Sequence, residues 1–584
     1  MTIADAPTRA ASGPQSVEHR FRTFDGVELF YRAWLPAAPT DKALILFHRG
    51  HEHSGRFDEM VGRLGFDDVA VFAWDARGHG RSPGDRGYAN SFATFVRDAD
   101  EFMKHVAREH DVSVEHTIVL GHSVGAVIAA AWVHDYAPRV RAMVLATPAL
   151  RVKLYVPFAR AAMRVRMRFG GRAYVSSYVK SRMLTHDPEQ ARAYDADPLI
   201  SRQIAVNVLL DLHDTSTRLL TDAGAIRTPA LVLASGSDWV VKNGAIRTFF
   251  ERLGSANKEL HVFDGLSHAV FHEARRELPI ARVREFIRNA FDQTVEERGE
   301  VAPDARSQQT YERLARSKPI YCPTGLWFRA QRVFLETVGR LSDGVRIGWR
   351  NGFSSGTSLD HVYENRARGI TPLGRLIDRA YLNAPGWRGI RQRKIHLQEL
   401  INRAIDDTLA TKQTARVLDV ASGPGRYMLE LLAVRAGAAN VSVTLRDRDA
   451  AALDQGRRLA REMGLSNVRL VDGDAFDTES LASIDPKPDV AIVSGLFELF
   501  PDNERVLRSL RGLARAVRPG GFLVYTNQPW HPQLEMIARV LVHGDGSPWV
   551  MRCRPQWEMD ELVRCVGFEK FDTRMDKDLS LIHI

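Results

Sequence analysis

The pentapeptide Gly121-His122-Ser123-Val124-Gly125 sets a hydroxyl between two glycines, after the apolar run Thr117–Leu120 and before the helical stretch Ala126–Tyr136. A serine hydroxyl is a weak nucleophile until a base takes its proton and a third group orients that base. The glycines permit a sharp turn that lifts Ser123 Oγ above a sheet. There it meets the N-terminal end of a helix, whose dipole favours developing negative charge. Downstream, Ala230–Ala234 runs into Ser235-Gly236-Ser237-Asp238, and Leu260–Phe263 into Asp264-Gly265-Leu266-Ser267-His268. The order predicts acyl transfer with Ser123 as nucleophile, His268 as base and Asp238 as orienting acid. Asp264 is a rival acid on the His268 loop, although Asp-Gly is also a turn signal. The oxyanion of such a reaction needs two backbone N–H donors. One is Val124. The other is expected from the loop after Ala43–Phe47, which reads His48-Arg49-Gly50-His51-Glu52-His53-Ser54-Gly55-Arg56.

A second constellation begins at Arg416-Val417-Leu418-Asp419-Val420, an apolar strand entering Ala421-Ser422-Gly423-Pro424-Gly425 and then a helix. Glycines there let backbone approach a ligand at the switch point of a parallel sheet. The next strand, Val441–Leu445, ends at Asp447, 24 residues after Gly423. That is the spacing of a carboxylate that hydrogen-bonds ribose hydroxyls. Arg469–Val471 then leads to Asp474 and Phe476, an acid able to meet an adenine amino group beside an aromatic ring. The turn lacks the third glycine of GxGxxG, so a pyrophosphate fits poorly.

The elements that must position these residues alternate. Short apolar runs at Ala43–Phe47, Val69–Ala73, Thr117–Leu120, Val140–Ala146, Ala230–Ala234 and Leu260–Phe263 are separated by helical periodicity. That is the pattern of a doubly wound α/β sheet. The alternation breaks at about 150–222, a helical insertion expected to cap the sheet. Residues 1–17 read as a disordered tail and 294–320 as a polar linker. Residues 321–414 read as a helical leader broken by Gly, Ser and Asn at 351–358, and 415–584 as a second α/β unit. With 584 residues, 45% hydrophobic and 26% charged, the chain is an ordinary globular one, and no run of 18 apolar residues spans a membrane. Three cysteines, none in a CxxC pair, exclude a disulfide framework and point to a reducing compartment, so the cytoplasm is expected. The net charge of +9 is too diffuse to imply nucleic acid. It is concentrated in one place: nine Lys/Arg and no acid between Arg151 and Arg182, mixed with Tyr155, Phe158, Met163 and Phe169. Such a stretch is either a solvated helix face or a surface for anionic lipid at the inner face of the membrane.

The motifs His48–Phe57, Asp75–Gly84, Gly121–Gly125, Ser235–Val241 and Gly265–His268 resemble those of monoacylglycerol lipases and lysophospholipases, serine hydrolases of the α/β-hydrolase fold, over residues 18–293. The resemblance implies Ser123, Asp238 and His268 as the triad, Gly50 as the loop oxyanion donor, and an acyl ester as substrate. Arg49 departs from the family, which usually carries glycine there. The second constellation resembles class I S-adenosylmethionine-dependent methyltransferases, of Rossmann-like fold. With the leader it is similar to a bacterial methyltransferase family of poorly known substrate. The resemblance implies that Asp419, Gly423 and Gly425 line the methionine end of S-adenosylmethionine, that Asp447 holds its ribose, and that Asp474 and Phe476 frame its adenine. Ala421 stands where glycine is frequent. The tetrapeptide Ser494-Gly495-Leu496-Phe497 is not the Asn/Asp-Pro-Pro-aromatic of nucleobase methylation, and Glu498, Trp530 and His531 are candidates on the acceptor side. No metal-ligand motif is present. The expected protein is a bifunctional enzyme with a lipid or other small-molecule substrate and no nucleic-acid partner. The alternative is a hydrolase carrying a non-catalytic S-adenosylmethionine-binding domain.

Overall fold

The computed structural model describes residues 16–293, 302–319, 321–575 and 581–583. The chain divides into two compact units, Met1–Glu297 and Arg298–Ile584.

The first unit is built on an eight-stranded sheet. Its strands are β1 (Val17–Arg22), β2 (Glu28–Trp34), β3 (Ala43–Phe47), β4 (Ala70–Trp74), β5 (Thr117–His122), β6 (Ala142–Ala146), β9 (Ala230–Ser235) and β10 (Lys258–Phe263). The spatial order is β1-β2-β4-β3-β5-β6-β9-β10. The β1–β2 and β2–β4 pairs are antiparallel and the rest parallel. β3, β4, β5, β6 and β9 are buried at every position, as expected of strands covered on both faces. β1 is polar and mostly open to solvent, an edge strand with little apolar signal. It begins inside the stretch read as a tail, of which residues 1–15 lie outside the described residues.

The insertion at 150–222 carries four helices, among them Ala159–Arg168, Pro188–Ala196 and Val206–Asp222. It is not wholly helical: β7 (Tyr174–Ser176) and β8 (Gln203–Ala205) form a small antiparallel pair, each too short for a periodic signature. Its basic stretch is also partly neutralised by acids outside it. Arg164 pairs with Asp214 at 3.2 Å and Arg172 pairs with Asp85. Phe158 and Phe169 remain 87% and 82% exposed among these arginines.

The second unit holds a seven-stranded sheet of β11 (Ala415–Val420), β12 (Val441–Asp447), β13 (Val468–Asp472), β14 (Val490–Val493), β15 (Phe522–Asn527), β16 (Thr573–Met575) and β17 (Leu581–His583). The order is β13-β12-β11-β14-β15-β17-β16, with β17 antiparallel to both neighbours. The strand order reverses between β11 and β14, where ligands bind in open α/β sheets. Helix Pro385–Leu409 of the leader packs Leu397, Leu400, Ile401 and Ile405 into the core under this sheet.

The stretch read as a linker contains a helix, Ala305–Ala315. Its N-cap Asp304 accepts from Ser307 N–H at 2.8 Å, and Leu314 packs against Ala538 and Val550. One fully buried side chain leaves little periodicity to read. The helix start is also tied to a buried polar knot. Glu558 accepts from Asp304 N–H (3.1 Å), Asn503 Nδ2 (2.8 Å) and Arg552 Nη2 (2.8 Å). Arg552 donates to Pro501 O, and Arg554 to Phe497 O and Phe500 O.

Candidate active sites

In the first unit, β5 ends in the serine turn. Ser123 adopts φ 56°, ψ −110°, a left-handed conformation unfavourable for a residue with a side chain and held by its surroundings. Ser123 N–H donates to Ala146 O (2.8 Å), and Ala149 N–H donates to Ser123 O (3.0 Å). A Cβ at Gly121 would stand 2.4 Å from Gly125 O, and one at Gly125 2.2 Å from Phe47 O, so both glycines are required by close backbone approach.

The structure brings Ser123, His268 and Asp238 into one relay. His268 Nε2 lies 2.8 Å from Ser123 Oγ, and His268 Nδ1 lies 2.8 Å from Asp238 Oδ2. All three are buried. Asp238 Oδ1 accepts from Val240 N–H (2.7 Å) and Val241 N–H (2.8 Å), while Ser235 Oγ donates to Oδ2 (2.9 Å). Burial alone would raise this carboxyl. The His268 ring and the backbone donors outweigh it and hold the group below the usual carboxylate range. Asp264 is exposed on its turn, and the His268 Nδ1 it would have to hold is taken by Asp238. His268 O accepts from Thr147 Oγ1 (3.1 Å) and from the His122 ring (3.2 Å), which fixes the loop. Ser235, Thr147 and His122 were not singled out from the sequence. Thr147 and His122 act through contacts across strand ends, which leave no spacing signal, whereas Ser235 lies only three residues from Asp238.

The oxyanion loop is positioned by the Asp75–Gly84 motif. Asp75 Oδ1 accepts from Ser54 N–H (2.6 Å) and Oδ2 from Arg81 N–H (2.7 Å), while His48 Nε2 accepts from Ala76 N–H (2.9 Å). Burial keeps His48 neutral, as that acceptor role requires. Gly50 lies against Val124: a Cβ at 50 would stand 2.9 Å from Val124 Cγ2. Arg49 does not disturb this arrangement. Its guanidinium turns to Glu52, with Nε to Oε2 at 2.8 Å, inside the protein. Burial would raise Glu52, but Arg49 and Arg56 hold it well below the carboxylate range, so the pair is an internal salt.

In the second unit, the turn after β11 carries Ala421 (φ 55°), Gly423 (φ 57°) and Gly425 (φ 70°). Ala421 pays steric strain that glycine would not. Asp447, at the end of β12, accepts from Gly423 N–H (2.7 Å) and Asp449 N–H (2.9 Å), so it braces the turn as well as facing it. Asp419 is fully buried and accepts from Tyr427 Oη at 2.6 Å. Burial pushes its carboxyl up to about 8, with the Tyr427 bond opposing and Asp447 adding to the rise. Its Oδ1 has no protein partner. Asp474 is open to solvent, with Oδ1 accepting from Phe476 N–H (2.9 Å). Phe476 differs from the expectation. It is 5% exposed, packed on Phe500 with ring centroids 4.7 Å apart and covered by the Arg505 guanidinium. An aromatic beside an acid reads the same in sequence whether it faces a ligand or the core. His531 and Trp530 are both half-buried, and desolvation lowers the pKa of the His531 ring to about 4.

Left-handed glycines at a strand end, a ribose-spaced carboxylate and an orphaned buried acid oxygen fit a nucleoside carrying a cationic amino-acid end. The leader closes over this turn. A Cβ at Gly356 would stand 3.0 Å from Gly423 Cα, and Arg426 pairs with Asp360 and Glu364 of helix Gly356–Glu364.

Comparison with known proteins agrees with both halves. Residues 38–275 match the family model described as "Serine aminopeptidase, S33", and residues 283–579 match one described as "Putative methyltransferase". The "Uncharacterized protein YnbC" of Escherichia coli (strain K12) is 47% identical over 565 residues, covering 96% of each chain. A monoacylglycerol lipase of Mycolicibacterium smegmatis is 30% identical over 46% of this chain and 96% of its own. A monoglyceride lipase of Mus musculus is 29% identical over 48% of this chain and 91% of its own. The chain therefore belongs to the family described as "Putative methyltransferase", with a hydrolase domain of the α/β-hydrolase fold as its first half.

Proposed function

We propose that the chain is a bifunctional enzyme: a serine hydrolase of a lipid or other acyl ester joined to an S-adenosylmethionine-dependent methyltransferase. The observation that carries the first activity is the Ser123–His268–Asp238 relay, with both bonds at 2.8 Å. Ser123 Oγ attacks the acyl carbon as His268 Nε2 takes its proton. Asp238 holds Nδ1–H and stabilises the imidazolium. The Gly50 and Val124 N–H groups receive the oxyanion, and His268 returns the proton to the leaving alcohol. Water then repeats the sequence on the acyl-enzyme.

A lipid substrate is supported by the relatives named as monoacylglycerol and monoglyceride lipases, and by the cap. Its exposed Phe158 and Phe169 stand among arginines, a surface suited to peripheral contact with anionic membrane from the cytoplasmic side. In the second unit, Gly423, Gly425 and Asp419 would hold the amino-acid end of the cofactor, Asp447 its ribose and Asp474 its adenine. When bound, S-adenosylmethionine supplies a methyl group on a positively charged sulfur. The protein's part is to hold an acceptor in line and exclude water. The acceptor is a small molecule or lipid rather than nucleic acid.

A fluorophosphonate probe should label the wild type and not Ser123→Ala. A panel of acyl esters varied in headgroup and chain length, run with and without S-adenosylmethionine, identifies the substrate. Formation of S-adenosylhomocysteine separates a transferase from a binding scaffold. Full esterase activity in Ser123→Ala would remove the hydrolase reading.

A further inference from the structure

The polar side chains that converge where β11 and β14 end come from five separate elements. Asp419 lies on β11, and Tyr427 follows the glycine-rich turn. Tyr363 comes from helix Gly356–Glu364 and Arg393 from helix Pro385–Leu409, both in the leader. Glu498 comes from the segment after β14. Asp419, Arg393 and Glu498 are buried, at 0%, 3% and 6% exposure. The Arg393 guanidinium lies close enough to the Tyr363 phenol to oppose the rise that burial gives its pKa, and reaches Glu498 Oε1 at 3.4 Å. Tyr427 donates to Asp419, and its ring packs edge-on against Tyr363 at 6.5 Å, which joins the two acids through one aromatic pair. A Cβ at Gly495 would stand 3.2 Å from Arg393 Nη2, so the strand end leaves room for the guanidinium beside it.

Three of these groups carry a buried polar atom with no protein partner: Asp419 Oδ1, Arg393 Nε and Glu498 Oε2. Buried polar atoms are nearly always met, and unmet ones in a cleft mark where a ligand or water belongs. The Arg393–Glu498 contact is longer than the roughly 2.7–2.9 Å of a charge-assisted bond, so the guanidinium is not saturated by its one acid. The place offers a ligand two acid oxygens, on Asp419 and Glu498, and one guanidinium nitrogen, at the switch point of the sheet. A zwitterion matches that pattern. A simple anion would leave Asp419 unmet, and a simple cation would leave Arg393 unmet.

We propose that Arg393, supported by Tyr363, binds the α-carboxylate of the cofactor's amino-acid end while Asp419 takes its ammonium group, so that the helical leader is part of the cofactor site. This rests on the S-adenosylmethionine reading of the second unit. It assigns the leader a binding role that the motif after β11 does not contain. The two helices contribute one side chain each to this place, Tyr363 and Arg393.

Calorimetry on the full chain tests it with two ligands, S-adenosylmethionine and its decarboxylated analogue. In the wild type, loss of the carboxylate from the ligand should weaken binding roughly 10- to 100-fold, the range of a charge-assisted hydrogen bond. In Arg393→Gln the two ligands should bind within about threefold of each other, with the analogue's own affinity little changed. Wild-type affinities that are equal, or a wild-type ratio that persists in the variant, would overturn the assignment while leaving the methyltransferase reading intact. A wild type that binds neither ligand would overturn both. If Arg393→Gln does not fold, Tyr363→Phe decides, and a wild-type ratio that persists in it overturns the assignment. Tyr363→Phe, which keeps the ring and removes the phenol, should lower the ratio by a smaller factor.

Discussion

Asp238→Asn isolates what the acid does, because the structure dictates how the asparagine must sit. Asp238 Oδ1 is held by two backbone donors, Val240 N–H and Val241 N–H. An amide at this position therefore keeps its oxygen on those donors and turns its NH₂ towards His268 Nδ1. Nδ1 must then accept, so the proton moves to Nε2 and points at Ser123 Oγ, where the base is needed. The geometry survives and the tautomer is wrong. In a serine hydrolase that error costs about 10⁴-fold in kcat, or about 5.4 kcal/mol of activation free energy. KM for a short soluble ester should change little, because both oxygens of Asp238 are taken by protein groups. The assay is steady-state hydrolysis of that ester by the wild type, Asp238→Asn and Asp264→Asn, with thermal midpoints as folding controls. Asp264 is exposed, and its variant should stay within about threefold of the wild type. An Asp238→Asn enzyme within tenfold of the wild type, or an Asp264→Asn enzyme equally damaged, would refute the reasoning and move the acid to the His268 loop.

Three further outcomes are expected. Asp447→Ala should weaken S-adenosylmethionine binding at least about tenfold by calorimetry and leave hydrolysis at Ser123 unchanged, since the carboxylate braces Gly423 and, in the proposed site, accepts from the ribose hydroxyls. Asp419, with its carboxyl raised to about 8, is protonated at neutral pH without ligand; a cation beside it needs the carboxylate, so binding releases a proton below pH 8. Cofactor affinity should then rise with pH, by at most about tenfold per unit, and flatten above about 8; a flat profile from pH 6 to 8 with no proton release would contradict this. Replacing Arg164, Arg166 and Arg168 with Gln should lower affinity for anionic vesicles by one to two powers of ten, nearer to one because Arg164 shares its charge with Asp214, and leave a soluble ester unaffected.

What could be read from the sequence follows from the range of the interactions. β3 coincides with the apolar run at Ala43–Phe47 because a strand buried on both faces must be apolar throughout. The nucleophile turn was legible because its glycines and serine are adjacent and its strand and helix flank it. Asp238 and His268 follow because each lies on the loop after a later strand. Partners joined only in space were not legible. Arg393 and Glu498 are 105 residues apart, and nothing in either neighbourhood names the other. Helix Ala305–Ala315 failed for a different reason: it buries one leucine, so composition overrode a periodicity that was scarcely there. Phe476 shows the limit of motif reading, since the same residue after the same acid can face a ligand or the core.

The knot of Glu558, Arg552, Arg554 and Asn503 bears on how this domain can be inherited. It joins the amide of Asp304, the carbonyls at 497–501 and the helix Gln556–Arg564, three segments far apart in the coding sequence. A recombination that exchanged any one of them would leave fully buried charge facing an unfamiliar partner, and breaking such a cluster is far more damaging than never having had it. Crossovers that survive selection should therefore fall before residue 304 or on the surface loops of the first unit. The leader, the sheet and the final helix should travel between genomes as a single block.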